Sequence, residues 1–402
     1  MSHQQLVEAA KRIIAHTRAG TVPLAEGVVQ VPAANYLDPA RWQLEVDRIF
    51  RRLPLVLGFS SELREPHSFS SIDVMGVPVL LVRGGDGVLR SFVNTCSHRG
   101  AVVVPPGTGE ARRFTCPYHA WSYDDAGALV GVLDRAEFGE FDTSCHGLTP
   151  LPVAERAGLV LGGIVPGREL DVDRFLCGYD SMLQHLGLEH CTVVGRQTVT
   201  GPNWKLCYDG YLDFYHLPVL HKQTFGPDFP NRIISDAWGP HQRNTSPDAR
   251  LLKLEQLPEA DWPVRKIDGG IWTLFPHVSI APFMAGGRIY MVSQLLPGPT
   301  PDTSVTVQHF LVEGEADGAR RELVRQQMEF LLHVVREEDY ATCDGIQRGL
   351  RTGAKQHVLF GRNEEPCQRF HAWADALVEA DDDELLRLFD QPGPWPSTGG
   401  DR

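Results

Sequence analysis

No apolar run in this chain of 402 residues is long enough to cross a bilayer. A helical span needs ~20 consecutive apolar residues, and runs such as Gly158–Val165 stop far short. There is no G-x-G-x-x-G, so a nicotinamide or flavin domain has no support, and no internal repeat, which excludes a solenoid. Basic residues are scarce. Lys and Arg number 38 against 51 Asp and Glu, and the formal net charge of −13 opposes binding to nucleic acid. The eight Cys do not form a disulfide-scaffold pattern; Cys145, Cys177, Cys191, Cys207, Cys343 and Cys367 are scattered and read as reduced packing residues. The stretch from Met1 to Gly20 carries Glu8, Lys11 and Arg12 inside its only apolar pattern, unlike a secretory signal. The expectation is a cytoplasmic chain of two or three domains with no membrane and no nucleic-acid partner.

What is present centres on two short clusters, Cys96-Ser97-His98 and Cys116-Pro117-Tyr118-His119, with seventeen residues between His98 and Cys116. Each offers one thiolate and one imidazole. Two Cys and two His are what a [2Fe–2S] cluster needs when imidazoles replace thiolates on one iron. Neutral imidazole carries less charge than thiolate, so such a cluster is easier to reduce than an all-Cys one. A zinc site is the competing reading, but structural zinc fingers pair Cys with Cys and His with His, and mixed arms fit that pattern badly. Four unrelated core residues would not place both arms on turns between apolar, strand-like runs.

The spacing predicts an amphipathic helix over residues 4–17, with Leu6, Ala9, Ile13 and Ile14 on one side, and a short helix over Arg41–Arg51. From about Leu53 the pattern is that of strands. Val77–Val82 and Val88–Val93 flank the hairpin signal Gly84-Gly85-Asp86-Gly87, and Arg112–Thr115, Trp121–Tyr123, Leu129–Leu133 and Leu159–Val165 follow. Beyond Pro166 the elements mix. Helices are predicted over Arg174–Leu188, Trp204–His216, Ala319–Leu350 and Trp373–Phe389, and strands over Val193–Thr200, Ile271–Ile280, Arg288–Leu296 and Val305–Val312. Residues 225–265 read as a long loop or lid, and the tail from Gln391 as frayed. The chain thus divides into an N-terminal helical segment, 1–45, packing on the C-terminal domain; a small antiparallel β domain, 46–165, with both Cys-His arms at loop tips; and a mixed domain, 166–402. The fold class is α+β.

A second constellation follows Asn203-Trp204-Lys205. His216 and His221 are five apart and on a straight helix would point about 140° away from each other. Pro218 breaks that geometry and lets the chain turn His221 back, so the pair can clip a metal; two ordinary histidines fit the spacing equally. Asp339 supplies a carboxylate. It falls in the apolar stripe of Met328, Leu332, Val335, Cys343, Ile346 and Leu350, while Glu337 and Glu338 point away. A lone carboxylate on a buried face is costly unless paired or metal-bound. Asp213, three residues before His216, shares its helix face and can orient its imidazole; a plain surface acid is the alternative.

Two His and one carboxylate leave one face of a metal open, the facial triad of non-heme Fe(II) oxygenases. Asn94-Thr95-Cys96-Ser97-His98-Arg99-Gly100 and Cys116-Pro117-Tyr118-His119-Ala120-Trp121 resemble the Rieske signature, with Ala120 where many members have Gly. Asn203-Trp204-Lys205, Asp213-x-x-His216-x4-His221, Glu338-Asp339 with Gln347-Arg348-Gly349-Leu350, and Phe360-Gly361-Arg362-Asn363-Glu364 resemble motifs of the α subunit of Rieske non-heme iron oxygenases, the ring-hydroxylating dioxygenase and demethylase family. The resemblance covers most of the chain and departs from the common pattern at Asp209 and Gly210. It implies a Rieske β domain and a helix-grip (START-like) catalytic domain. It implies one [2Fe–2S] cluster per chain on Cys96, His98, Cys116 and His119, and one Fe(II) on His216, His221 and Asp339. NAD(P)H would act only through a separate reductase, with or without a ferredoxin. A homotrimer (α3) packed head to tail would let Asp213 bridge His119 of one chain to His216 of the next. The implied reaction uses O2 to hydroxylate, dihydroxylate or oxidatively demethylate a small organic substrate, expected to be aromatic. Trp272, Phe275, Phe283 and Met284 could line its pocket, and Arg243, Arg250 or Arg288 could hold an acid. An electron-transfer Rieske protein without an oxygenase site is the alternative, against which the triad and the long stretch after Pro166 argue.

His98→Cys or His119→Cys is expected to lower the reduction potential, because thiolate adds negative charge to the cluster. An unchanged Rieske spectrum in either variant would contradict the ligand assignment.

Overall fold

Helix α1 (Ser2–Ala19) buries Leu6, Ala9, Ile13 and Ile14 on one side. In the computed structural model, which describes residues 2–390 with Gly393, Trp395 and Pro396, α1 belongs to the larger of two compact units. That unit comprises Met1–Ile49, Asp173–Gly187 and Cys191–Arg402; the smaller comprises Phe50–Val172 with Leu188–His190. Most of the tail expected to fray lies outside the described residues. No helix among the described residues is long and apolar enough to cross a membrane.

The larger unit is built on one antiparallel sheet. Its strands are β1 (Cys191–Gly201), β2 (Ile234–Trp238), β3 (His241–Thr245), β4 (Ile271–Leu274), β5 (Val278–Met284), β6 (Arg288–Pro297) and β7 (Ser304–Glu313), in the order β1-β7-β6-β5-β4-β3-β2. Strand side chains alternate between faces. Ala281, Ile289, Met291, Phe310 and Val312 therefore share one face and form a buried cluster. Helix α2 (Trp204–Leu212) sets Tyr211 against that cluster, and α3 (Gly318–His333) adds Val324, Met328 and Leu331. The long helix expected from 319 to 350 is continuous but not uniform: a π-helical stretch, Val334–Tyr340, joins α3 to α4 (Ala341–Arg351).

The motif Asn203-Trp204-Lys205 pins the start of α2. Asn203 caps the helix, its side chain accepting from the Lys205 N–H at 2.9 Å. The Trp204 indole donates to the buried Glu45 carboxylate at 3.0 Å, and the buried Lys205 ammonium pairs with the same group. Arg41 donates to its other oxygen at 2.8 Å. Asp209, further along α2, accepts from Tyr36 at 3.0 Å and lies 2.9 Å from His371.

Several expected elements differ. Residues 225–265 contain β2 and β3, two strands of the main sheet. The helix expected over 174–188 is broken into short pieces, because Cys177, Gly178 and Gly187 adopt positive φ. Ile271–Ile280 is two strands, β4 and β5. The last expected helix is also two, α5 (Glu365–Glu379) and α6 (Asp382–Phe389), the second opened by a capping box of Asp381 and Glu384.

The smaller unit is mostly short strands, with single helical turns at Ser60–Glu62, Arg135–Phe138 and Thr143–Cys145. A five-stranded antiparallel sheet runs Pro150–Leu151, Leu89–Val93, Val77–Arg83, Ser68–Val74, Gly107–Glu110, with two three-stranded sheets besides. Leu80, Val82, Phe92, Phe114, Trp121 and Tyr123 form its core together with Cys96 and Cys116.

Candidate metal centres

The two Cys-His loops of the smaller unit close in the same way. Gly100 N–H donates to Cys96 O at 2.8 Å, and Cys96 N–H to Ala101 O at 2.8 Å. In the second loop Ala120 N–H donates to Cys116 O at 3.0 Å, and Cys116 N–H to Trp121 O at 2.8 Å. The fourth residue after each Cys has positive φ: +77° at Gly100 and +56° at Ala120. That conformation costs a residue with a Cβ roughly 1–2 kcal/mol, which is the physical reason glycine suits position 120.

These turns bury both thiols and bring the rings of His98 and His119 to 4.7 Å between centroids. His98 stacks on Trp121, and its buried Nδ1 has no hydrogen-bond partner among the described residues. Two buried thiols, two adjacent imidazoles and an orphaned ring nitrogen fit a [2Fe–2S] cluster with mixed ligation. The Tyr123 hydroxyl accepts from Ser97 N–H at 2.9 Å and donates to Cys96 Sγ at 3.2 Å. Burial and this thiol contact push its pKa up to about 12, so it remains a donor to the sulfur at neutral pH.

In the larger unit His216, His221 and Asp339 offer ligand atoms within 4.8 Å of one another. Asp339 Oδ1 lies 3.7 Å from His216 Nε2 and 3.1 Å from His221 Nε2. Ligands ~2.1 Å from one ion sit roughly 3–4 Å apart, so the set fits a single metal. Helix α2 ends at Leu212, earlier than expected, and Asp213 is extended. Asp213 and His216 meet across a turn rather than on a helix face: Asp213 Oδ1 accepts from Tyr215 N–H, and Oδ2 lies 2.9 Å from His216 Nδ1. Pro218 lies in the short helix Leu217–Leu220, and His221 follows it, buried.

Glu338 does not point away. Its Oε2 lies 2.6 Å from His221 Nδ1 and accepts from Thr224 Oγ1 at 3.0 Å. The π-helical stretch explains the difference, since one extra residue per turn brings two consecutive acids toward the same histidine pair. Each histidine thus has a carboxylate on Nδ1, leaving Nε2 for a metal. Burial disfavours the His221 imidazolium, but Asp339 and Glu338 outweigh it and raise the pKa in the metal-free site. A metal must displace that proton, so its affinity falls as pH drops.

The three groups border a cavity of about 850 Å³, walled by Phe225, Ile271, Phe283, Met291, Leu331 and Val335 among others. Of the expected pocket residues, Phe283 and Arg250 line it. Arg243 contributes to the wall, but its guanidinium is committed to the Gly269 and Ile267 carbonyls. Trp272 and Phe275 are core residues, Met284 is exposed, and Arg288 neutralises the buried Asp268.

A mixed Cys/His cluster site and a two-histidine, one-carboxylate site in one chain define the class of non-heme iron oxygenases that carry their own electron store. Known proteins agree. Residues 54–142 match the Rieske [2Fe-2S] domain, and residues 188–380 the catalytic domain of the ring hydroxylating alpha subunit. The carnitine monooxygenase oxygenase subunit of Escherichia coli (strain K12) is 27% identical over 344 residues, 80% of this chain and 84% of that protein. The chloroplastic choline monooxygenase of Amaranthus tricolor is 28% identical over 385 residues, 90% and 80% of the two chains. The crystal structure of the apo form of a quaternary ammonium Rieske monooxygenase shares the fold, with a TM-score of 0.71 at 23% identity over 87% of this chain and 95% of that one. The chain belongs to the Rieske non-heme iron oxygenase α-subunit family, and is the terminal oxygenase component of such a system, with a [2Fe–2S] cluster and a mononuclear iron as cofactors.

Asp339→Ala is expected to lose the mononuclear iron while keeping the coloured cluster. Glu338→Ala is expected to weaken iron binding ~10–100-fold without abolishing it, the usual loss when the partner of a ligand histidine is removed. Iron titration of both variants checks this; wild-type affinity in Glu338→Ala would contradict the role assigned to Glu338.

Proposed function

We propose that this oxygenase inserts oxygen from O2 into a small, ring-bearing organic substrate, with His216, His221 and Asp339 as the iron ligands and Cys96, His98, Cys116 and His119 as the cluster ligands. The observation that carries the substrate reading is the largely apolar cavity onto which the three iron-site groups open. Burying an apolar body there contributes ~25 cal/mol per Å² and displaces water from beside the reacting atoms. When bound, the iron supplies a site for reducing O2 next to the substrate. The chain's own residues do the rest. Asp213 and Glu338 hold the Nδ1 protons of His216 and His221 and so fix both tautomers. Electrons come one at a time from a separate reductase, as the family resemblance implies.

The electron path we propose runs between chains of a head-to-tail homotrimer, from His119 of one to Asp213 and His216 of the next. Both ends are accessible enough for it: the Asp213 side chain is one-fifth exposed, and His119 is only partly buried. A second reading, a quaternary ammonium substrate, follows from the names of the relatives and from the rings of Phe225 and Phe229 at the cavity, whose faces attract a cation.

Substrate-stimulated NADH and O2 consumption with a surrogate reductase separates the readings. Stimulation by ring compounds supports the first; stimulation by choline or carnitine alone contradicts it. Asp213→Asn, nearly isosteric but uncharged, is expected to keep fold and cluster and to slow cluster reoxidation in a single turnover by ~10–100-fold. Wild-type reoxidation, or full activity in a strictly monomeric enzyme, would refute the bridge.

A further inference from the structure

Asn244 is fully buried, and neither its Oδ1 nor its Nδ2 has a hydrogen-bond partner among the described residues. It lies opposite Ile271 across β3 and β4. Opposed residues put their side chains on the same face of a sheet. Ile271 packs with Ala281, Met291 and Phe310, the last three opposed in turn across β5, β6 and β7. Asn244 therefore sits between that apolar row and Ser235 of the edge strand β2, whose hydroxyl accepts from Arg369 at 3.2 Å rather than pairing with the Asn244 amide. Asn244, Ile271, Ala281 and Met291 all line the cavity that His216, His221 and Asp339 border.

The sheet supplies partners where an amide is structural. Gln242, two residues earlier on the same face, accepts from Arg369 at 2.6 Å and donates to Pro366 O at 3.0 Å. Other groups on this face without a partner among the described residues, Ser279 Oγ, Ser293 Oγ and Gln308 Nε2, lie opposite one another in a single row and can share water. Asn244 faces Ile271 on one side and, on the other, Ser235, which is engaged by Arg369. Arg243 lies on the opposite face, over the Trp272 ring. A buried amide with both halves open carries the full cost of desolvation unless a ligand completes it.

We propose that Asn244 is the specificity-determining anchor of the cavity, and that it takes a neutral substituent able both to donate and to accept, such as a carboxamide or lactam, on an apolar ring. This rests on the ring-bearing substrate reading above. A carboxylate can only accept, leaving Oδ1 facing negative charge, and a trimethylammonium group donates no hydrogen bond. Sites built to hydrogen-bond a polar group reject analogues that lack it, because their own buried groups are then unpaired.

The test is calorimetric binding to the holoenzyme without reductase or O2, with benzamide, benzoate, toluene and choline as probes. Benzamide is expected to bind at least ~10-fold tighter than toluene or benzoate. Asn244→Leu should lose ~10–100-fold for benzamide and bind toluene as well as or better than wild type. If Asn244→Leu does not fold, Asn244→Asp, of equal size, should lose the benzamide preference and repel benzoate. Equal benzamide affinity in wild type and either variant, or no benzamide binding in wild type, overturns the proposal. Binding of ring probes without preference for the amide overturns it while leaving the ring-substrate reading intact; binding of choline alone overturns both.

Discussion

Three carboxylates converge on two imidazoles: Asp213 on His216, Glu338 on His221, and Asp339 facing both. With neutral histidines that is three negative charges at the edge of an apolar cavity. Partly buried like charges repel, and burying them costs more than local hydrogen bonds return. A divalent cation at the Nε2 atoms cancels most of the excess and fixes all five side chains together. Much of the larger unit can be understood as scaffolding for that convergence.

The scaffold works from both sides of the site. Asp213 and His216 follow α2, whose start is anchored by Glu45, Trp204 and Lys205. Removing one partner of a buried pair typically costs ~3–5 kcal/mol, so the register of α2 is held firmly far from the metal. Glu338 and Asp339 come from the π-helical stretch between α3 and α4, and α3, which leads into it, is packed on the sheet by Val324 and Leu331. The sheet face below supplies the apolar row and, between that row and the edge strand, Asn244. The smaller unit solves a similar problem with shorter elements. Two tight loops of identical closure present two thiols and two imidazoles over a core of Phe114, Trp121 and Tyr123.

The chemistry of both centres was legible because it resides in rare residue types at short spacing. Cys96, His98, Cys116 and His119 lie in two brief arms, and His216 and His221 flank a proline. The structure draws Asp339 to those histidines as the helical stripe suggested. The stripe misjudged Glu338, because periodicity assumes 3.6 residues per turn and a π-helical stretch does not keep it. Strands β2 and β3 went unread since Ser235, Asp236, Gln242, Arg243 and Asn244 look like loop residues; their polarity is satisfied or used inside the fold. Asn244 went unread for the same reason. Its signal, an amide beside an apolar row with no partner among the described residues, exists only once the strands are paired.

The central claim is that one chain carries two chemically separate iron sites. Iron and acid-labile sulfide, measured per chain on anaerobically purified protein with electron paramagnetic resonance of the reduced cluster, test it most directly. The expected result is three iron and two sulfide per chain, with chelation removing one iron and leaving the Rieske signal intact. Two iron and two sulfide in a protein that takes up no further metal would mark an electron carrier, and zinc without sulfide would contradict both centres.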